Sequence, residues 1–136
     1  MNIEKVDLEL IEAAQNTIRS LYKDGKHHIG AAVRTKTGKI YTAVHLEAYI
    51  GRVSVCAEAI ALGKAISEGE DDFATIVAVR HPDPTEEQQT IEVVSPCGIC
   101  RELISDYGAD IQVILKGTNH YFKKNIQQLL PDKYER

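Results

Sequence analysis

Tryptophan is absent from this 136-residue chain, phenylalanine occurs twice, and aromatics together make up 6%. A core made from such a sequence has to be filled by aliphatic side chains and alanine. Long apolar runs are missing as well: none approaches the roughly 18–20 residues that a bilayer-spanning helix needs, so no membrane partner is expected. Positive charge is not in excess. The net charge is −4, which removes the electrostatic reason to expect nucleic acid as a partner. No basic stretch followed by an apolar segment comes after Met1, so no signal peptide is visible and the cytoplasm is the expected location. Cysteines number 3, an odd count that argues against a disulfide framework and towards metal binding or catalysis. Repeats, low-complexity tracts and Ser/Gly linkers do not occur. With 43% hydrophobic residues, residues 1–136 suit a single domain with one core.

The apolar pattern sets out the expected elements. Ile11, Ala14, Ile18 and Leu21 recur at helical spacing from Asp7 to about Lys23, before an Asp24-Gly25 stop, and predict an amphipathic helix lying on a sheet. Ile29 to Thr35 and Ile40 to about Glu47 read as strands joined at Thr37-Gly38. After a loop from Ala48 to Val53, a helix is expected from Ser54 or Val55 to Ser67, with Ser54 as N-cap and Ala59, Leu62 and Ile66 buried. Phe73 to Arg80 carries the run of a strand covered on both faces, and Ile91 to Val94 reads as a short strand after a polar loop. Pro96 opens a second helix, Cys97 to about Asp106. Ile111 to Leu115 is a further buried strand, His120 to Phe122 an edge strand, and Ile126, Leu129 and Leu130 a terminal helix stopped by Pro131. This order implies the α/β class: a three-layer α/β/α sandwich with a mixed sheet of about five strands.

All the cysteines fall in two short stretches, Ser54-Val55-Cys56-Ala57-Glu58 and Ser95-Pro96-Cys97-Gly98-Ile99-Cys100. Cys97 and Cys100 share one face of a helix start, where free N–H groups favour thiolate over thiol. Cys56 sits equally early in the other helix, so two helix N-termini can converge on one cation. Three soft ligands leave the fourth tetrahedral position open, as catalytic rather than structural zinc sites do. Positions 56 and 58 diverge by about 200° in a regular helix, so Cys56 and Glu58 can face one ion only if Cys56 precedes the regular turns. Glu58 would then stand beside the metal as a proton carrier. Rival readings are a thiol–disulfide pair at Cys97 and Cys100, inert core thiols, and a non-catalytic zinc module closed by a fourth ligand from among the 5 histidines.

Taken together, Cys56-Ala57-Glu58, Ser95 to Arg101, Gly30-Ala31-Ala32 and the Leu129-Leu130-Pro131 ending resemble the cytidine deaminase superfamily over nearly the whole chain. The similarity is to its small form with three Cys ligands, a group that includes blasticidin S deaminases. That resemblance implies hydrolytic deamination of cytidine, deoxycytidine or a close analogue, with one Zn²⁺ per subunit on Cys56, Cys97 and Cys100. Glu58 would protonate N3 and then the leaving amine, Ala57 N–H would hold the ring carbonyl, and the Ser95 carbonyl would accept from the departing amino group. A homotetramer with shared active sites is implied as well. Where relatives carry Asn-x-Glu-Asn for the ribose, this chain has His45-Leu46-Glu47-Ala48, so His45 and Glu47 are the expected sugar contacts. His27 stands where the family places an aromatic over the base. The Arg that follows Cys-Ala-Glu in nucleoside-type relatives is Ala59 here. Arg101 or Arg52 is therefore expected to hydrogen-bond a ligand sulfur and offset the thiolate charge.

Overall fold

The computed structural model describes residues 2–136. Six strands form one mixed sheet: β1 (Ile29–Thr35), β2 (Ile40–Val44), β3 (Phe73–Arg80), β4 (Glu92–Val94), β5 (Gln112–Lys116) and β6 (Tyr121–Asn125). The strand order is β2-β1-β3-β5-β6, and β4 pairs with β3. The three-layer reading holds, with the short β4 as a sixth strand. β1 is antiparallel to both β2 and β3, so β2 and β3 run the same way. Helix α2 (Ala57–Ser67) makes the crossover between them, and α3 (Gly98–Tyr107) links β4 to β5, which run in opposite directions. β3 is shared along its length. Ala78, Val79 and Arg80 pair antiparallel with β4, whereas Thr75 and Ile76 pair parallel with β5.

Alternation along the strands divides the core in two. Ala31, Val33, Ile76, Val113 and Leu115 face Ala57, Ala61, Leu62, Cys100 and Ile104 of α2 and α3. Ala32, Val77, Val79 and Ile114 face Leu10, Ile11, Ala14 and Ile18 of α1 (Lys5–Leu21). The alanine-rich, aliphatic core expected from the shortage of aromatics is what forms. Gly30 is required by packing: a Cβ there would stand 2.9 Å from both the Ala14 carbonyl oxygen and Ile18 Cβ. Its bare backbone lets α1 lie directly on β1.

Several boundaries move, each for a local reason. Leu21 is 54% exposed, and Leu10 takes the expected place in the buried stripe of α1. β2 stops at Val44 because Leu46 instead exchanges backbone hydrogen bonds with Val55, at 2.9 and 3.0 Å. That pairing keeps Val55 extended, so Ser54 is not the N-cap of α2; Cys56 is. The Ser54 hydroxyl accepts from Ala48 N–H at 2.9 Å and closes the intervening loop. Since α2 starts at Ala57, its buried stripe is Ala57, Glu58, Ala61, Leu62 and Ala65, and Ile66 faces outward. α3 is likewise capped by Cys97, which leaves Pro96 just outside the helix. The terminal helix is a short 3-10 turn, Ile126–Leu129, after a β6 longer than expected.

Asp7 is fully buried in the first turn of α1. Its carboxylate accepts from Glu4 N–H at 2.9 Å and lies 2.8 Å from Lys123 Nζ and 3.4 Å from Arg34 Nη2. It therefore ties α1 to β6 and β1 by bridging two cations at the foot of the helix, with the Glu4 carboxylate 3.6 Å from Lys123 Nζ as the second negative charge. Asp7→Ala is expected to destabilise the protein by about 3–5 kcal/mol, the usual cost of removing one partner from a buried ionic cluster. Urea unfolding checks this, and a loss under about 1 kcal/mol would mean that the cluster behaves like an exposed ion pair.

Candidate active site

Cys56 ends the stretch that pairs with Leu46, and its backbone is still extended (φ −69°, ψ 148°) when α2 begins. Cys97 follows β4 through Ser95-Pro96 and is also extended (φ −69°, ψ 170°). Both cysteines are thus N-caps, and Cys100 lies in the first turn of α3. Two helix starts, each with unpaired N–H groups and a positive dipole end, meet at one place. The extended Cys56 resolves the angular problem posed by Glu58, because the 200° divergence applies only between residues that are both helical.

The three sulfurs lie within 4.8 Å of one another, and those of Cys56 and Cys97 are 3.7 Å apart. A tetrahedral zinc with Zn–S bonds of about 2.3 Å separates its sulfurs by about 3.8 Å, so this donor set fits the ion in number, type and spacing. Without a cation the three thiols differ in how readily they ionise. Burial, followed by the charges of Glu58 and the other two thiols, pushes the Cys100 thiol far above its ordinary range. Burial also raises Cys56. At Cys97 partial burial acts upward, but N–H groups of Cys100 and Ile99 and the neighbouring thiols outweigh it and hold the thiol below the usual value. Three thiolates this close together require a cation among them.

A cavity of about 200 Å³ opens beside the sulfurs. Ile29, Val55 and Val94 give it apolar walls, and His45, Ser54, Ser95, Ala57 and Glu58 supply polar groups. Glu58 is only 5% exposed. Burial pushes its carboxyl up, against hydrogen bonds from its own N–H and the Cys100 thiol and the nearby His45. A carboxyl raised in this way holds and releases a proton closer to neutrality than a solvated one, which is what a proton carrier needs.

Of the residues singled out from the sequence, Cys56, Ala57, Glu58, Ser95, Cys97 and His45 all line this cavity, and Cys100 lies buried behind them. Glu47 and His27 do not line it. The His45 Nδ1 accepts from the backbone N–H groups of His28 and Ile29, both at 3.2 Å, so its proton sits on Nε2 and is donated to Glu47 Oε1 at 3.1 Å. That fixed tautomer leaves no free ring nitrogen for a metal, although His28, His45 and Glu47 are close enough to suggest one. His27 donates from Nδ1 to the His45 carbonyl at 2.8 Å. The expected arginine-to-sulfur bond is not what forms. Arg101 donates instead to the Pro96 and Leu129 carbonyls, at 2.9 and 3.1 Å, and Arg52 is exposed on the 3-10 turn Gly51–Val53. The cavity walls Ile29, Val55 and Val94 carried no signal of their own; Ile29 begins β1, Val94 ends β4 and Val55 forms an isolated bridge with Leu46, so the place of each depends on a pairing with another segment.

The model of the cytidine and deoxycytidylate deaminase zinc-binding region matches residues 4–121. The chain belongs to this family of zinc-binding hydrolytic deaminases of cytosine compounds. It is 59% identical to blasticidin-S deaminase from Bacillus cereus over 135 residues, covering 99% of this chain and 96% of that one. It is 34% identical to a protein of Dictyostelium discoideum named a probable cytidine deaminase, covering 96% and 84% of the two chains. Among solved structures, cytidine deaminase from Burkholderia pseudomallei superimposes with a TM-score of 0.73 at 27% identity, over 93% of this chain and 98% of that one.

Proposed function

We propose that this enzyme deaminates a cytosine nucleoside with a non-standard sugar, of which blasticidin S is the first candidate, and that cytidine and deoxycytidine are second. The observation that carries this order is the His45–Glu47 pair, in which Nε2–H of the cavity-lining His45 is donated to Glu47 at 3.1 Å, in the stretch where nucleoside-type relatives carry Asn-x-Glu-Asn. The 59% identity to a blasticidin-S deaminase supports the same order. The second reading rests on the fold shared with cytidine deaminases.

Cys56, Cys97 and Cys100 would hold the zinc. Zinc bound there supplies Lewis acidity and makes water a usable nucleophile near neutral pH. The chain's own groups do the rest. Ala57 N–H, at the open start of α2, holds the ring carbonyl. Glu58 carries two protons in turn, one from the attacking water to N3 and one from the hydroxyl added to the ring to the departing amine. The Ser95 carbonyl accepts from that amine. Val55 and Val94 keep bulk water from the ring. His45 and Glu47 meet the sugar, and His27 steadies them through the His45 carbonyl.

The same reading makes the enzyme a cytoplasmic homotetramer, active in pyrimidine salvage if cytidine is the substrate. Tyr49, Ile50 and Val53 are 106%, 56% and 61% exposed in the segment that leads to the cavity-lining Ser54, and they give apolar surface suited to a second copy. Light scattering of the purified protein reads the assembly directly. Ammonia release from blasticidin S, cytidine and deoxycytidine tests the substrate. We expect kcat/KM for blasticidin S to exceed the others by at least about tenfold, in line with the discrimination a few hydrogen bonds provide. Equal or higher values for cytidine would reverse the order, and no release from any of them would sink the reading.

A further inference from the structure

Arg101 follows the last cysteine and was expected at a sulfur, yet its guanidinium joins two backbone carbonyls. Nε reaches Pro96 O at 2.9 Å and Nη1 reaches Leu129 O at 3.1 Å. Pro96 directly precedes Cys97. The backbone N–H of Arg101 also donates to the Cys97 carbonyl at 2.9 Å. One residue thus holds the chain on both sides of the Cys97–Cys100 pair.

Its far anchor is itself firmly built. Ile126 opens the 3-10 turn fully buried, and its N–H donates to the Ile111 carbonyl at 2.9 Å. Asn125 caps the turn: its side chain accepts from Gln127 N–H at 2.9 Å, and its own N–H donates to Gln128 Oε1 at 2.9 Å. The turn therefore presents the Leu129 carbonyl from a fixed place on the core. A planar fork suits two carbonyls at a set separation, whereas an ammonium on a flexible stem does not.

We propose that Arg101 and the Asn125-capped turn act as a strut that positions the Cys97–Cys100 thiol pair, so that the metal affinity of the site is set from the carboxy-terminal end of the chain. Arg101 is a positioning residue and touches no reacting atom. The proposal rests on the zinc reading above.

The test is cobalt(II) binding to the metal-free full-length chain, followed by chelator competition and by the thiolate-to-cobalt charge-transfer and d–d bands. Arg101→Met is expected to weaken cobalt affinity about 10–100-fold, the range seen when a group behind a metal ligand is removed, and to shift the d–d bands. Arg101→Lys should fail to restore either, because it keeps the charge but not the fork. Asn125→Ala should weaken affinity in the same direction, and should add nothing further in the Arg101→Met background. Unchanged affinity and bands in Arg101→Met, full recovery with lysine, or additive losses in the double variant would each overturn the strut. If Arg101→Met does not fold, Asn125→Ala alone decides, since an unchanged affinity there breaks the proposed link. A parent protein that takes up no cobalt would overturn the zinc reading itself, and that result is distinct from the others.

Discussion

Glu58→Gln is expected to leave the protein folded and loaded with one zinc per subunit, and to slow ammonia release about 10²–10⁴-fold, the contribution of a positioned proton carrier. The substitution keeps the shape of the side chain and removes only its ability to exchange a proton. Zinc should stay, because the three sulfurs are spaced for it without Glu58. Stability should not fall either. The carboxyl is 5% exposed and its ionised form is disfavoured by burial, so a neutral amide of the same size suits the site at least as well. Metal analysis, thermal unfolding and single-turnover ammonia release on one preparation check all three points. A variant that keeps its zinc and its rate would show that Glu58 is not the proton carrier. One that loses its zinc would make Glu58 a ligand.

The second large effect separates two cysteines that the sequence presents as equivalent. Cys97→Ala and Cys100→Ala are both expected to abolish stoichiometric zinc and, with it, detectable deamination. Without metal they should differ. Cys100 is 1% exposed and packs with Ile104 and Ala61 in the core under α2 and α3. Its removal should cost about 1–2 kcal/mol through the cavity left behind. Cys97 is exposed, so its removal should change the metal-free protein by no more than about 0.5 kcal/mol. Chemical unfolding with and without a chelator measures both. Equal losses in the metal-free proteins would mean that the core does not close around Cys100 as the structure has it.

The layers were legible because burial imposes its own period. β1, β3 and β5 are short apolar runs of the length of strands covered on both faces, and α1 shows an unbroken 3.6-residue stripe through Ile11, Ala14 and Ile18. The errors fall where a long-range pairing outweighs a local preference. Ser54 has the chemistry of a helix cap, but Leu46, nine positions before Val55, holds that residue extended and moves the helix start to Cys56. Leu21 fits the helical period, yet the chain turns away at Tyr22 and leaves it in solvent. Arg101 has the charge to sit on a sulfur, but two carbonyls brought together by the fold take it.

The sequence by itself pointed to the kind of chemistry: three thiols and one carboxyl fit a zinc-assisted hydrolysis, and the resemblance to cytidine deaminases favoured it over a thiol–disulfide pair, inert core thiols or a closed zinc module. It determined the sandwich as well, through periodicity. Only the tertiary structure decided that both ligand stretches begin as helix caps, that His45 carries its proton on Nε2, and that Arg101 braces the site from the carboxy-terminal turn. The physical reason is common to all of these. Each depends on a hydrogen bond between residues far apart in sequence, and such a partner is supplied only when the sheet has brought the two segments together.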